Sequence, residues 1–188
     1  MSLSIKNTRS TYGLASISLH WIMALAIIGL YLLGLYIDSL DYYDPNYRTL
    51  PHWHKSIGII LLGFYVFRLA WNLINPHPEP LSQPALAQLA TKIVHKLMYV
   101  LIILILVSGY LISTADGRAI AVFNWFEIPA IPALLERQED TAGFLHYWLA
   151  TGLISLAGLH ALAALKHHFI NKDQTLNRML GKAQSTQE

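Results

Sequence analysis

One uncharged apolar segment near the end of the chain, residues 142–165, limits the folds that are open to it. Its length exceeds the roughly 20 residues with which an α-helix crosses the hydrocarbon core of a bilayer. The segment nevertheless contains His146 and His160, and titratable side chains inside a membrane span are costly and usually functional. On an ideal helix these two lie about 21 Å apart along the axis and within about 40° of each other. We therefore predict a helix face that carries two imidazoles at different membrane depths, too far apart to bind one metal ion.

Three further apolar segments precede this one, at residues 16–37, 56–74 and 97–115, and the second is interrupted only by Arg68. Their hydrophobicity is continuous rather than alternating, which favours membrane-spanning helices over a β-barrel. Only 13% of the 188 residues are charged, against roughly 25% in soluble domains. We predict an all-α membrane protein, a four-helix bundle that forms a single domain over residues 1–188 and has the lipid bilayer as its surroundings.

Basic residues indicate the orientation of this bundle. Nine of the 13 lysines and arginines are assigned to one side: eight at the N-terminus, between the second and third spans and in the tail, and Arg68 near the end of the second span. The positive-inside rule then places both termini in the cytoplasm. The loops on the opposite side hold eight of the 11 acidic residues and four basic ones, a net charge of −4. The last of these loops, residues 116–141, is rich in aromatic residues and is expected to lie at the interface, with room for a short helix.

Histidines in the four spans match by depth. His20 and His160 lie toward the cytoplasmic ends of their helices, and His54 and His146 toward the outer ends. Two imidazoles that face each other across a bundle can occupy both axial positions of a haem iron, which favours electron transfer over oxygen activation. The chain has no cysteine, so thiolate ligation and covalent attachment of haem are excluded. The net charge of +2 gives no indication of nucleic acid binding.

Other interpretations of these histidines remain open. A single membrane histidine can simply hydrogen-bond to a neighbouring helix, and a histidine cluster can hold zinc or copper, although such ligands should converge at one depth. His52 competes with His54 as the outer ligand; the sequence does not settle the choice, and we favour His54 because it lies nearer the apolar segment. Arg68 and His95 are candidates for contact with a propionate of the inner haem, or are interfacial anchors.

Several short stretches resemble the bacterial cytochrome b561 family, and the resemblance covers nearly the whole chain. They are Ser18-Leu19-His20-Trp21, His54-Lys55-Ser56-Ile57-Gly58, Ser108-Gly109-Tyr110, Gly158-Leu159-His160-Ala161 and the tail Ala164-Leu165-Lys166-His167-His168-Phe169-Ile170-Asn171-Lys172-Asp173. Each is weak alone, but their order and spacing, which end in the Lys-His-His-Phe tail, are specific.

The resemblance implies a protein of the bacterial inner membrane with two b haems that exchanges electrons with ubiquinone. It implies that His20 and His160 bind the iron of the cytoplasmic-side haem, and that His54 and His146 bind the iron of the periplasmic-side haem. It also implies a quinone site at His167, with Lys166 close by. On an ideal helix His167 lies within about 20° of His160, although a basic membrane-surface anchor is the alternative role for this tail.

Family likeness leaves the periplasmic electron donor open. Some relatives resemble superoxide oxidases, which take electrons from superoxide and reduce quinone. The same fold resembles the cytochrome b anchors of hydrogenases and formate dehydrogenases, where a partner subunit supplies the electrons. A transporter of metal ions or protons is the non-redox alternative.

Overall fold

The computed structural model describes residues 4–81 and 84–182 and is built around four long helices. They are α1 (Leu14–Asp38), α2 (Thr49–Ile74), α3 (Ala85–Thr114) and α4 (Gln138–Lys166). A π-helical turn, His167–Asn171, extends α4, and a short helix, α5 (Thr175–Met179), follows it. All four long helices have the length and apolar composition to cross a membrane, as the sequence predicted.

All four helices begin before the apolar segments that predicted them, and the difference is largest for α2 and α3. Helix α2 starts seven residues before residue 56, and α3 starts twelve before residue 97. Hydropathy ends where polar residues begin, but backbone hydrogen bonding continues through good helix formers such as Lys, Gln and Ala. Pro51 is tolerated in the first turn of α2, because the amide groups there have no partner within the helix. The earlier start places both His52 and His54 inside α2.

Buried apolar side chains from all four helices meet in the middle of the bundle. The cluster consists of Met23, Leu61, Tyr65, Ile102 and Leu153. Leu153 lies seven residues from each α4 histidine, or about 10.5 Å along the helix in either direction. The packed core therefore separates two levels at which histidines occur.

The outer surface of the bundle is apolar. Many large side chains on the helices are exposed, among them Leu25, Leu32, Val66, Leu104 and Leu162. A helix that is hydrophobic on all sides is typical of a membrane span, where lipid covers what the protein does not.

The loop between α3 and α4 contains a β-hairpin instead of the short helix that the sequence allowed. Strands β1 (Ile120–Val122) and β2 (Phe126–Ile128) pair antiparallel. The turn has positive φ at Phe123 and Asn124, as a type I′ turn requires, although phenylalanine rarely adopts that conformation. Ser56 of α2 fixes the hairpin, because its hydroxyl accepts a hydrogen bond from the Phe123 amide at 3.0 Å. The conformation of Phe123 depends on this contact with a distant residue, so the local sequence did not predict the turn.

Three segments are tied together at the opposite end of the bundle. The Asn7 side chain donates to the Pro76 carbonyl at 3.0 Å, and Arg178 donates to the Glu79 carbonyl at 2.7 Å. The Trp21 indole donates to the Met179 carbonyl at 2.8 Å. The N-terminal segment, the loop between α2 and α3, and the C-terminal segment therefore share one end. That this end is cytoplasmic stays a prediction.

Candidate functional site

The two histidine levels are named by their position in the bundle: the outer level is the one nearer the β-hairpin, and the inner level is the one nearer the two termini. The outer level brings together His54 of α2 and His146 of α4. Their ring centroids lie 6.2 Å apart with an angle of 67° between the planes. Two imidazoles that bind one metal ion from opposite sides, through bonds of about 2 Å, have ring centres about 6 Å apart. The observed spacing therefore accommodates an ion between them.

Surrounding groups hold His146 in one orientation. Its Nδ1 donates to the Ile105 carbonyl at 3.0 Å and lies 3.1 Å from the Ser108 hydroxyl. A histidine that donates one ring N–H to a carbonyl presents its other nitrogen to a metal. On the facing helix, Nδ1 of His54 is buried and has no hydrogen-bond partner among the described residues. Such atoms are rare and mark functional sites.

Two glycines make room for these rings. A Cβ at Gly109 would lie 3.1 Å from Cε1 of His146, and a Cβ at Gly34 would lie 3.4 Å from Cε1 of His54. The first distance is shorter than ordinary van der Waals contact, so a side chain at Gly109 would displace the imidazole. At Gly34 an added methyl group would just touch the ring.

His52 lies apart from this pair. Its ring meets Phe123 of the hairpin at 6.3 Å, and it lines an outer surface pocket of about 220 Å³. Of the two histidines between which the sequence did not decide, only His54 contacts His146. The geometry favours His54 as the outer ligand.

The outer surface pocket also contains both signs of charge. Its other polar lining residues are Lys55, Ser113, Asp116 and Arg118. Hydrogen bonds from Arg118, which is 2.6 Å from Asp116, hold the pKa of that carboxyl below its usual value. Arg118 is thus paired with an ionised partner, and the charge of Lys55, next to His54 in sequence, also acts on the Asp116 carboxylate.

The inner level contains three histidines instead of two. The rings of His95 and His160 lie 5.1 Å apart, closer than the about 6 Å of two imidazoles that bind one metal ion from opposite sides. His20 lies within electrostatic range of both. The sequence paired His20 with His160, and the structure brings them to one level while placing His95 in ring contact with His160. The pairing stays a prediction.

Arg68 connects His20 to α3. It donates to Nδ1 of His20 at 3.2 Å and to the Tyr99 hydroxyl at 2.9 Å. An arginine can only donate, so Nδ1 of His20 accepts in this contact and the ring proton of a neutral imidazole sits on Nε2. Metal binding through Nε2 would require that proton to move to Nδ1, and Arg68 would then need another acceptor. Neither Tyr99 nor this contact was foreseen from the sequence.

The tail presents a different arrangement. Nδ1 of His167 lies 2.5 Å from Oδ2 of Asp173 and 3.1 Å from the side-chain nitrogen Nδ2 of Asn171. His168 packs instead against Phe169, with ring centroids 4.8 Å apart. The quinone role assigned to Lys166 and His167 stays a prediction. The contact of His167 with Asp173 was not predicted, because residues six apart on a regular helix do not face each other.

Comparison with known proteins identifies the family to which this four-helix chain belongs. The family model of the prokaryotic cytochrome b561 matches residues 11–182. The chain belongs to the prokaryotic cytochrome b561 family. Its members transfer electrons in membranes and carry haem b, so the family predicted from the short stretches is confirmed.

Curated relatives agree over nearly their whole length. Cytochrome b561 homolog 2 of Escherichia coli (strain K12) is 47% identical over 97% of this chain and 98% of its own. The probable superoxide oxidase CybB of Yersinia pestis is 32% identical over 91% and 96%. Cytochrome b561 homolog 1 of Escherichia coli (strain K12) is 24% identical over 90% and 96%. Four spanning helices and membership of this family fit the bacterial inner membrane.

Proposed function

We propose that this member of the family binds two b haems and passes electrons from a donor on the periplasmic side to ubiquinone on the cytoplasmic side. The observation that carries the proposal is the presence of histidine clusters at two levels of one bundle. Helix α4 contributes to both, and the buried apolar cluster that includes Leu153 separates them. The α4 histidines are about 21 Å apart along the helix, and the flat width of two porphyrins shortens the gap that an electron crosses.

The donor atoms fit this assignment. His54 and His146 would hold the outer iron, and His20 and His160 the inner iron. When bound, the haems accept and release single electrons. The residues are neutral nitrogen donors without a nearby carboxylate, and no group of three or more histidine, aspartate or glutamate side chains that could hold a bare metal ion occurs among the described residues. The transporter alternative gains no support from this arrangement.

Arg68 has a second role in this proposal. While it donates to Nδ1 of His20, that histidine carries its proton on the nitrogen needed for iron. If haem bound at the inner site, Arg68 would need another acceptor, and a haem propionate is an anionic group that would suit it. His95, whose ring lies against that of His160, would then be beside a ligand of the same haem.

We place ubiquinone beside Lys166 and His167, seven residues beyond the inner ligand His160. Each ubiquinone takes up two electrons, which arrive singly through the protein, and two protons from the cytoplasmic side. An imidazole can carry protons near neutral pH, and a lysine stabilises negative charge that develops on a quinone oxygen.

The test uses purified protein with its haems reduced by dithionite in the absence of oxygen. Excess reductant is removed, a short-chain ubiquinone is added, and reoxidation of the haems is followed by absorbance. His167→Ala should slow this step by about 100-fold or more, while haem content and reduction by dithionite stay normal. His168→Ala is the matched control, since its ring packs on Phe169. Equal rates in wild type and His167→Ala would place the quinone site elsewhere.

Superoxide is a second candidate for the donor. The outer surface pocket supports it, because its lining holds two cations, Lys55 and Arg118, against one carboxylate, Asp116, and Lys55 is next to the outer ligand His54 in sequence. One relative is named a probable superoxide oxidase. In this reaction two superoxide anions become two molecules of oxygen, and their two electrons, with two protons, convert one ubiquinone to ubiquinol.

Lys55→Gln tests this second candidate. It should lower the rate at which superoxide reduces the haems by about 2- to 10-fold, whereas Lys172→Gln at the opposite end should not. The outer loops have a net charge of −4, so a local lysine and not a broad positive field attracts the anion, and added salt should slow the reaction only mildly. A rate near the diffusion limit that falls steeply with salt would contradict this account.

A further inference from the structure

The π-helical turn at the end of α4 forms a second arrangement of titratable groups, which helix geometry alone would not produce. Residues six apart on an ideal helix point about 120° away from each other. Here the turn His167–Asn171 widens the helix, and Lys172 adopts a left-handed conformation with φ of 54°. The chain thereby reverses, and the Asp173 amide donates to the His167 carbonyl at 3.1 Å. A left-handed residue that closes a widened last turn is an ordinary way for a helix to end, and here it brings Asp173 back onto the last turn of the helix.

Side chains close the same loop. The carboxylate of Asp173 meets Nδ1 of His167 at 2.5 Å through Oδ2, and its Oδ1 accepts from the Thr175 amide at 2.9 Å. Both carboxylate oxygens are thus held. The two side chains are 21% and 24% exposed, so the pair is partly shielded but remains close to water.

The charge state of Asp173 follows from its contacts. Although partial burial acts to raise the pKa of Asp173, hydrogen bonds from Thr175 and His167 outweigh it and hold the pKa below its usual value. The carboxylate is therefore ionised at neutral pH. An ionised carboxylate can only accept, so Nδ1 of His167 carries the proton between them. No hydrogen bond reaches Nε2 of His167 from the part of the chain that the structure describes.

We propose that Asp173 is a positioning residue for quinone reduction: it holds His167 in the orientation and tautomer in which Nε2 faces the quinone oxygen. This inference rests on the proposed quinone site. A carboxylate on Nδ1 fixes the imidazole and stabilises the positive charge that it carries when both nitrogens are protonated. His167 then gives its Nε2 proton to the reduced quinone oxygen and regains one from the cytoplasmic water, while the electrons arrive from the haem side.

The experiment compares four proteins, each purified with both haems and reduced with dithionite before a short-chain ubiquinone is added. Asp173→Asn retains the shape of the side chain but removes its charge, and it should slow haem reoxidation at saturating ubiquinone by about 10- to 100-fold. Asp173→Glu, which keeps the charge, should recover most of the rate. Glu79→Gln removes one negative charge at the same end of the bundle and should leave the rate unchanged.

A double-variant cycle separates positioning from a structural role. If Asp173 acts through His167, then Asp173→Asn should have no further effect in a His167→Ala background. A double variant about 10-fold slower than His167→Ala alone would show that Asp173 only stabilises the tail. Thermal unfolding and haem absorbance of all variants provide the readouts that do not depend on turnover.

Each outcome distinguishes the two proposals. A wild type that ubiquinone does not reoxidise overturns the quinone site and, with it, the role of Asp173. A wild type that reacts with ubiquinone at the same rate as Asp173→Asn overturns only the role of Asp173. Slowing by Asp173→Asn, recovery in Asp173→Glu and no additional effect in the double variant support both.

Discussion

The outer and inner histidine clusters differ in geometry. Only at the outer level are two histidine rings already spaced so that one metal ion fits between them. At the outer level, His54 and His146 stand 6.2 Å apart, and a backbone carbonyl fixes the orientation of His146. At the inner level, the ring of His95 lies against that of His160, and Arg68 donates a hydrogen bond to Nδ1 of His20. If Nε2 of His20 bound iron, Nδ1 would have to carry the ring proton, and it could then no longer accept from Arg68. In our proposal the outer site is therefore arranged in advance, whereas the inner site would have to rearrange in order to bind haem.

This difference has a physical origin in the residues that surround each cluster. Gly34 and Gly109 lie against the outer rings and leave them room. The inner cluster instead has a cation, which in the absence of an anionic partner takes the best acceptors within reach. We expect the outer haem to bind first, and the inner haem to depend on an exchange of partners by Arg68.

The largest expected effects come from removing the two α4 ligands. His146→Ala should remove the outer haem and leave the inner one, and His160→Ala should do the reverse, because each iron loses one of its two axial bonds. Haem content per polypeptide and the reduced absorbance spectrum measure this. His77→Ala, in the loop after α2, is the control and should keep full haem content. Loss of both haems in either variant would show that the two sites are not independent.

The next comparison sharpens the inner site alone. His20→Ala should abolish the inner haem, whereas His95→Ala should retain it with an altered spectrum, because His95 packs beside a ligand and does not bind iron in our proposal. Haem content and low-temperature electron paramagnetic resonance of the oxidised protein distinguish the two. If His95→Ala loses the inner haem and His20→Ala keeps it, the axial pair is His95 with His160.

A smaller effect is expected from filling the space beside the outer ring. In Gly109→Ala the new methyl group would lie 3.1 Å from Cε1 of His146, and relieving such overpacking typically costs about 1–3 kcal/mol. The outer haem should bind about 10-fold more weakly, as measured by haem titration of apoprotein. Gly63→Ala is the matched control, since nothing lies within 4 Å of a Cβ there. Equal losses in both variants would attribute the effect to the helices and not to the outer ring.

Arg68→Gln should have the smallest effect and should act only on the inner haem. Removing one positive charge destabilises the reduced form by on the order of 1 kcal/mol in a partly buried setting, so the midpoint potential of the inner haem falls. Redox titration with optical detection resolves the two haems. A fall in the potential of the outer haem instead would contradict the placement of Arg68 at the inner level.

The sequence predicted the features that depend on local composition and helical period. The four spans follow from hydropathy, and the two levels follow from the spacing of His146 and His160 on one helix. Early starts of α2 and α3 were missed because polar residues continue a helix beyond its apolar part. The β-hairpin at Phe123 was missed because Ser56, a residue far away in sequence, stabilises it.

Several features of the candidate site depend on contacts between distant segments, which a single sequence does not reveal. The contacts of Arg68 with His20 and Tyr99 join three helices. Asp173 reaches His167 only because a π-turn and a left-handed residue reverse the chain. The choice of His54 over His52 likewise required the position of α4 relative to α2.

The ratio of haem b to polypeptide in the purified wild-type protein tests the central claim most directly. Haem is extracted as its pyridine complex and measured by absorbance, and polypeptide is measured by amino acid analysis of the same sample. Two histidine levels in one bundle predict two haems per chain. A ratio of one in fully loaded protein would contradict the account, because only one of the two clusters would then bind haem.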